Sequence, residues 1–418
     1  MISNAYDVNE KICGYAISIA FFFILISTAI VNIGILISVI TGLILISKEK
    51  NYSEIFIKNK VNLSIVFLFL MLIISYVYSI ANQEEAISLL KKYIKLLYIP
   101  ICYYIFKIEW IRSKAINFFI TGSTIILFLS YLKYSNIINP GDFARLSNIF
   151  GANFSSYYDK NLLGGVTVFQ NSIIHGVVLS FYFFITFLKG KEENNSFYYI
   201  LSFLSFYNIL FMNISRTSYI IAILLILLIA YKYSNVKNYK KNFVIFIFIT
   251  FILVIGNKST IVERYDVSFN DIISIKSNYY KTSLGLRYIY ADNGIKNIII
   301  KPIFGHGLGS YKTTIKRYFE ENNLDMDNYL TQNPHNEFIS ISTQTGLIGL
   351  SIFFAFLYFF IKNYFYTDIG KSVTIIIFVS SLFNSMFYDN VMGIFIILII
   401  SLAMQKNVLN AKVKKNVI

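Results

Sequence analysis

Runs of apolar residues separated by short polar breaks recur along nearly the whole chain. Hydrophobic residues make up 56% of the 418 positions and charged residues only 14%, a composition unlike that of a soluble domain. Because a membrane-spanning helix needs about 20 consecutive apolar residues, this pattern predicts an all-α, polytopic membrane protein and excludes a soluble enzyme.

The lengths of the runs and the positions of the polar breaks predict about twelve transmembrane helices. They cover residues 15–31, 33–47, 61–80, 93–107, 116–132, 171–188, 196–212, 217–231, 243–256, 336–361, 372–387 and 391–405. The interval between the ninth and tenth spans predicts a large loop with amphipathic helices. The chain then divides into spans one to nine (1–256), the loop (257–335), spans ten to twelve (336–405) and a basic tail (406–418).

Lysine and arginine are unevenly distributed between the two sides of this layout. With the N-terminus inside, the inner segments carry 20 of the 37 basic residues, the short outer segments 7 and the long loop 10. Inner loops of membrane proteins are enriched in these residues, so we expect both termini in the cytoplasm and the long loop outside. The net charge of +15 then reflects loops that face anionic lipids, and nothing in it indicates a nucleic-acid partner.

An ionisable imidazole, His335, stands at the start of the tenth predicted span. Asn333 and Pro334 have the residue types of a helix N-cap and a first helical position, which would place His335 in the first turn. There the positive end of the helix dipole would keep the ring neutral and able to accept a proton. Gly346 follows about three turns later and Gly349 about one turn beyond it, so both would lie below His335 on a face thin enough for a neighbouring helix.

Asn336 and Glu337, directly after His335, favour a chemical role for the imidazole. The alternative is that His335 is only a helix-capping residue. His175 is interpreted as a polar group inside the helix bundle. The glycine-rich stretch 305–309 resembles a phosphate-binding loop but lacks the strand, helix and Lys-Ser/Thr that such loops need, so it is interpreted as a turn.

Five of the six arginines lie on the predicted outer side, where guanidinium groups are suited to binding phosphate oxygens. Arg216 stands in a short turn between two apolar segments, and Arg287 begins an amphipathic stretch. Each has an alternative interpretation: Arg216 as an interfacial arginine whose charge reaches the headgroups, and Arg287 as a solvated charge on a loop helix. No group of Cys, His or carboxylate residues on that side predicts a metal site.

These features resemble a known family, the O-antigen ligases and related oligosaccharide polymerases of bacterial envelopes. The resemblance covers nearly the whole chain and rests on the twelve-span layout, the outer loop before span ten and the stretch 305–311. It rests further on these motif residues: His335, Asn336, Gly346, Gly349, Arg216 and the segment 283–287. The histidine motif is shared by ligases and polymerases and does not separate them.

The resemblance implies a membrane enzyme that transfers a glycan from undecaprenyl diphosphate to a sugar hydroxyl at the periplasmic face of the inner membrane, with inversion and without a metal or cofactor. It implies His335 as the base, and Arg216 and Arg287 as ligands of the diphosphate. It also implies four supporting residues: Asn336, Glu337, Gly346 and Gly349.

The leading hypothesis is an O-antigen ligase that uses a lipid A core sugar as the acceptor. A repeat polymerase or protein glycan ligase, with a growing glycan or another acceptor, is the second. A flippase or transporter of lipid-linked glycans is the third, and against it stand the outer position of the notable polar residues and the lack of an internal repeat.

Overall fold

The computed structural model describes residues 8–50, 52–135, 137–138, 167–233, 258–277 and 279–405. Within these ranges the chain is helical and forms no strand, which confirms the all-α class. The helices are α1 (Val8–Phe22), α2 (Thr28–Glu49), α3 (Lys60–Val77), α4 (Gln83–Tyr93), α5 (Tyr98–Lys107), α6 (Glu109–Tyr134), α7 (Ser172–Glu193), α8 (Ser196–Tyr207), α9 (Arg216–Tyr233), α10 (Lys258–Lys276), α11 (Ser283–Ile300), α12 (Ser310–Glu321), α13 (Glu337–Tyr364), α14 (Asp368–Phe383) and α15 (Asn390–Ala403).

Six of the helices in the described ranges are long and apolar enough to cross a membrane: α2, α3, α6, α7, α9 and α13. The segment Ser196–Met212 and helix α15 are apolar but shorter. A membrane protein with several spans is therefore confirmed, whereas the count of twelve stays a prediction. The predicted ninth span, 243–256, and the predicted tail, 406–418, lie outside the described residues.

Some predicted span boundaries are wrong. The first predicted span, 15–31, contains a break, because α1 ends at Phe22 and α2 begins at Thr28, where the hydroxyl of Ser27 accepts a hydrogen bond from the backbone of Ile30. The predicted span 93–107 is also interrupted, by a 3₁₀ turn at Ile94–Leu97. Pro100 has no N–H and fits a first helical turn, so α5 starts anew just before it.

The helices form two compact units. One contains residues 1–123 and 290–418, and the other contains residues 124–289. In the first unit, α3 packs along α13. The amide of Asn59, before α3, lies 3.4 Å from the hydroxyl of Tyr364, the last residue of α13. The two helices therefore run antiparallel.

Candidate functional site

His335 lies just before helix α13 and not in its first turn. Its φ is +55°, and its backbone N–H donates to the side-chain oxygen of Asn333 at 2.8 Å. The N-cap of α13 is Asn336, whose side-chain oxygen accepts from the backbone of Ile339 at 3.0 Å. The predicted caps at Asn333 and Pro334 are therefore wrong, because Asn333 forms a local Asx turn and leaves the helix to be capped three residues later.

The imidazole of His335 stacks on the ring of Tyr290, in α11, with 6.1 Å between ring centroids and 27° between planes. The hydroxyl of Tyr290 donates to the carbonyl of Tyr329 at 2.7 Å, and its own carbonyl accepts from the hydroxyl of Tyr311 at 2.7 Å. Burial, with a smaller effect of Tyr329, raises the pKa of Tyr290 to about 12, so its hydroxyl stays protonated. Tyr290 is thus an aromatic side chain held in place beside His335, and no pattern in the sequence predicts it.

Helix α13 folds back on itself at Gly346, whose φ of 65° and ψ of −162° are not helical. The ring of Phe338 lies 5.5 Å from the ring of Phe353. In a straight helix these residues, 15 positions apart, would be separated by about 22 Å along the axis. The first half (337–345) therefore packs against the second half (347–364). The prediction that His335 and Gly346 share one face of a straight helix is wrong.

The bend is closed by the segment 302–309, here called the clamp turn, which follows α11. The backbone N–H of His306 donates to the carbonyl of Thr343 at 2.8 Å, in the last turn of the first half. The N–H of Leu347, in the first turn of the second half, donates to the carbonyl of Pro302 at 2.7 Å. Groups at interrupted helix ends lack intrahelical partners, and the clamp turn supplies them on both sides.

The two motif glycines belong to this bend. A Cβ at Gly346 would overlap the carbonyl of Ile303, and its backbone angles are ones that essentially only glycine adopts. A Cβ at Gly349 would overlap the side chain of Thr345. The glycines therefore let the two halves of one helix meet, and the predicted groove for a neighbouring helix is replaced by this internal contact. The predicted turn at 305–309 is confirmed by positive φ angles at all three of its glycines.

Glu337, the first residue of α13, is completely buried. Its two carboxylate oxygens accept hydrogen bonds from the hydroxyl of Tyr93 and the backbone N–H of Phe387, both at 2.9 Å. Lys95 is also buried, lies close enough to interact with this carboxylate, and donates to the carbonyl of Asp389. The start of α13 is thereby tied to α4 and to the turn between α14 and α15.

Asn336 strengthens the same attachment. Its side-chain amide donates to the carbonyl of Leu382, near the end of α14, at 3.0 Å. Both residues that follow His335 are therefore occupied in fixing the position of the helix start. Neither is shown to contact a substrate, and their predicted supporting role stays a proposal.

The two predicted arginines lie in the other unit, where α9 begins at Arg216 and Arg287 lies near the start of α11. A guanidinium nitrogen of Arg216 is 3.6 Å from a carboxylate oxygen of Asp271, in α10. Burial and, secondly, the charge of Arg216 lower the pKa of Arg287. The two cations are therefore near one another, and the carboxylate of Asp271 lies beside Arg216. Asp271 was not predicted, since no sequence pattern distinguishes it.

The other two histidines, His175 and His306, make contacts within the protein. His175 is buried, and its Nε2 lies 3.3 Å from the side-chain oxygen of Asn208, in agreement with a polar group inside the bundle. The Nε2 of His306 lies 3.0 Å from the carbonyl of Asn297, and burial is the main cause that lowers the pKa of His306. Within the described ranges, no three His, Cys, Asp or Glu residues are grouped so that they could hold a metal ion.

Comparison with known proteins shows which proteins this part of the chain resembles. A family model described as O-antigen ligase matches residues 200–354, the part of the chain that contains both arginines, the clamp turn, His335 and the bend of α13. The chain is 25% identical over 244 residues to a protein named O-antigen ligase from Escherichia coli (strain K12), covering 56% of this chain and 53% of that protein.

Two further relatives match shorter stretches. A protein named putative polysaccharide ligase from Rickettsia felis is 36% identical over 73 residues, 16% of this chain and 17% of that protein. An uncharacterized protein from Haemophilus influenzae is 28% identical over 116 residues, 27% of this chain and 29% of that protein. The chain thus spans about half, or less, of the length of the curated relatives it matches.

Proposed function

We propose that this chain, which matches an O-antigen ligase family model over residues 200–354 and is similar to proteins named O-antigen ligase and putative polysaccharide ligase, is a glycosyltransferase of the bacterial inner membrane. Its donor is a glycan linked to undecaprenyl diphosphate, and its acceptor is a hydroxyl of a lipid A core sugar at the periplasmic face. The observation that carries this proposal is the position of His335. Its imidazole is held against the fixed ring of Tyr290 and directly before a helix start anchored by Asn336 and Glu337, within the part of the chain that matches the family.

In the proposed reaction, His335 takes the proton of the acceptor hydroxyl as its oxygen attacks the anomeric carbon of the donor. The bond between that carbon and the diphosphate oxygen breaks, and the electron pair leaves with the diphosphate. Attack opposite to the leaving group inverts the anomeric centre. The proposed reaction needs no metal ion, because the two arginines supply the positive charge that stabilises the leaving group.

Arg216 and Arg287 are the proposed ligands of the diphosphate. The two guanidinium groups lie near one another, and planar guanidinium groups bind phosphate oxygens in pairs. In the sequence of α11, Arg287 precedes Tyr290, the residue that stacks on His335, by only three positions.

A repeat polymerase or protein glycan ligase would use the same donor chemistry with a different acceptor. Cells that lack the gene distinguish these functions. If the protein is a ligase, these cells should accumulate long glycan on the lipid carrier, and their lipid A core should carry none. The wild-type gene should restore glycan on the core, and the His335→Ala gene should not. Core that carries single repeats would favour the polymerase, and lipid-linked donor retained on the cytoplasmic side would favour a flippase; either result would contradict the ligase proposal.

A further inference from the structure

An exposed apolar surface surrounds the clamp turn. More than half of the area of each of five apolar side chains, at the end of α11 and in the turn, is exposed: Ile295, Ile299, Ile300, Ile303 and Phe304. Residues at these positions belong to the segment that the sequence predicts as an outer loop. A cluster of this kind facing water would be unusual, because contiguous apolar patches on proteins mark interaction surfaces.

The surface is continuous with two membrane-spanning helices. The N–H of Ile348, in the second half of α13, donates to the carbonyl of Ile303 at 3.4 Å. The ring of Phe304 packs edge-on against Tyr78, the residue after α3, at 6.4 Å between centroids, and the hydroxyl of Tyr78 donates to the carbonyl of Phe304 at 2.7 Å. Val77, the last residue of α3, is itself exposed. The clamp turn thus extends the outward-facing apolar surface of both spans.

The lengths of these two helices indicate the depth of the clamp turn relative to the hydrocarbon core of the bilayer. Helix α3 and the second half of α13 (347–364) each contain 18 residues, which corresponds to about 27 Å, close to the thickness of a bilayer's hydrocarbon core. They run antiparallel, with Asn59 and Tyr364 together at one end and Tyr78 and Phe304 together at the other. The turn therefore lies at one edge of the hydrocarbon, opposite to the end marked by Tyr364.

The charge of Lys301 also agrees with a position of the clamp turn at the membrane interface. Lys301 is exposed and stands directly between the apolar pairs Ile299–Ile300 and Ile303–Phe304. At a membrane interface, apolar side chains enter the acyl region while the ammonium group of a lysine reaches the lipid phosphates. This alternation is expected for a membrane-inserted turn and would be unfavourable inside a protein contact, where an unpaired ammonium is costly to bury.

We propose that the end of α11 and the clamp turn insert into one leaflet of the membrane, with the acyl chains of lipids as their partner and Lys301 at the headgroups. The predicted outer loop (257–335) is then anchored in the membrane near its middle. This insertion fixes the depth of α11 in the membrane, and therefore that of Tyr290 and of the imidazole of His335 that stacks on it. The inference depends on α3 and α13 as membrane spans and not on the proposed glycosyl transfer.

Spin labels test it without any substrate. Single cysteines replace Ile303, Phe304, Phe354 and Lys316, and a nitroxide is attached to each in the full-length protein reconstituted in phosphatidylglycerol and phosphatidylethanolamine vesicles. Cys13 and Cys102 are completely buried and so should not be labelled, and their replacement by serine checks this. Phe354 is a reference on the exposed face of α13, and Lys316 is a reference on the exposed face of α12. The relaxation of each nitroxide by oxygen, which concentrates in hydrocarbon, is compared with its relaxation by a water-soluble nickel chelate.

At positions 303 and 304 we expect a ratio of oxygen to nickel accessibility several-fold above that at 316 and approaching that at 354. Ratios at 303 and 304 equal to that at 316 would show that the turn faces water. Low accessibility to both reagents would show that another protein surface, such as a second copy of the chain, covers it. Either result would overturn the proposal, and unchanged thermal unfolding of each labelled variant shows that the fold is retained.

Discussion

The carboxylate of Glu337 accepts a hydrogen bond from the hydroxyl of Tyr93 at 2.9 Å, although 244 positions separate the two residues in sequence. The other oxygen accepts from the backbone of Phe387, so both oxygens of a completely buried carboxylate are satisfied. This link fixes the start of α13, and with it the residue two positions earlier, His335. The position of the proposed base therefore depends on contacts from two distant segments of the chain, those of Tyr93 and Phe387.

Replacement of Glu337 by alanine should weaken both the fold and the proposed activity. It would leave the buried N–H of Phe387 without its acceptor, at a cost of about 1–3 kcal/mol, and would remove one partner of the Tyr93 hydroxyl, which also lies 3.2 Å from the hydroxyl of Ser340. We expect a lower temperature of thermal unfolding and a lower rate of transfer, with a smaller loss in Glu337→Gln, which retains one oxygen acceptor. Glu321→Ala, at an exposed glutamate of α12, is the control. Equal unfolding temperatures for Glu337→Ala and this control would contradict the assigned role.

Gly346→Ala tests the bend in α13. The backbone angles at Gly346 cost about 1–3 kcal/mol for a residue other than glycine, and a Cβ would also displace the carbonyl of Ile303. We expect reduced thermal stability and loss of transfer. The control is Gly190→Ala, where an added Cβ would come no closer than 3.2 Å to the nearest side-chain atom. If Gly346→Ala behaves like the control, the helix does not need glycine to fold back.

Arg216→Lys tests the proposed diphosphate ligand. An ammonium keeps the charge but cannot make the planar two-point contact of a guanidinium, so we expect a loss of transfer far larger than a charge-conserving change normally causes. Arg216→Ala should be at least as damaging. Arg317→Lys, on an exposed arginine of α12, should transfer normally and serves as the matched control. Near-normal transfer by Arg216→Lys at equal protein level would favour the alternative of an interfacial anchor.

The proposed orientation predicts which loops an impermeant thiol reagent reaches in cells whose outer membrane has been made permeable. A cysteine at Asn270, in α10, should be labelled, and a cysteine at Lys240 should not, because the bias of basic residues puts position 240 in the cytoplasm. Labelling after lysis should reveal the cysteine at 240. Labelling at 240 but not at 270 in unlysed cells would reverse the orientation and contradict a periplasmic reaction.

The sequence predicted those features that depend on composition and local pattern. Apolar runs predicted a helical membrane protein, and the glycines of 305–309 predicted a turn, because both follow from residue type at short range. The helix cap and the shape of α13 were predicted wrongly. Asn333 and Asn336 are equally good caps by residue type, and Gly346 looks like any helix-packing glycine until the clamp turn, about 40 positions earlier in sequence, is seen to fill the bend.

Some residues of the candidate site could be predicted from their residue type, and others could not. His335, Arg216 and Arg287 could be selected because their side chains carry chemistry at predicted span ends. Tyr290, Tyr93 and Asp271 could not be selected, since tyrosines and aspartates are common in the chain and these three matter only through distant contacts. Long-range contacts of this kind leave no local pattern in a single sequence.

His335 has a left-handed backbone conformation, which any test of its chemistry must take into account. Alanine at this position loses the imidazole and also disfavours the positive φ, whereas asparagine tolerates a positive φ but cannot act as a base. The pair His335→Ala and His335→Asn therefore separates a backbone effect from a chemical one. Thermal unfolding of both variants shows whether the fold is kept.

The rate of glycan transfer by purified protein, from an undecaprenyl-diphosphate-linked donor to a lipid A core acceptor in the presence of a metal chelator, tests the central claim most directly. We expect both His335→Ala and His335→Asn to lose about 10²- to 10⁴-fold in rate while donor binding is retained. Wild-type transfer should fall as the pH decreases, because a protonated imidazole cannot accept the hydroxyl proton, and the residual activity of the variants should lack this dependence. Transfer near the wild-type rate by His335→Asn, or loss of wild-type transfer on chelation, would contradict a metal-independent reaction with His335 as the base.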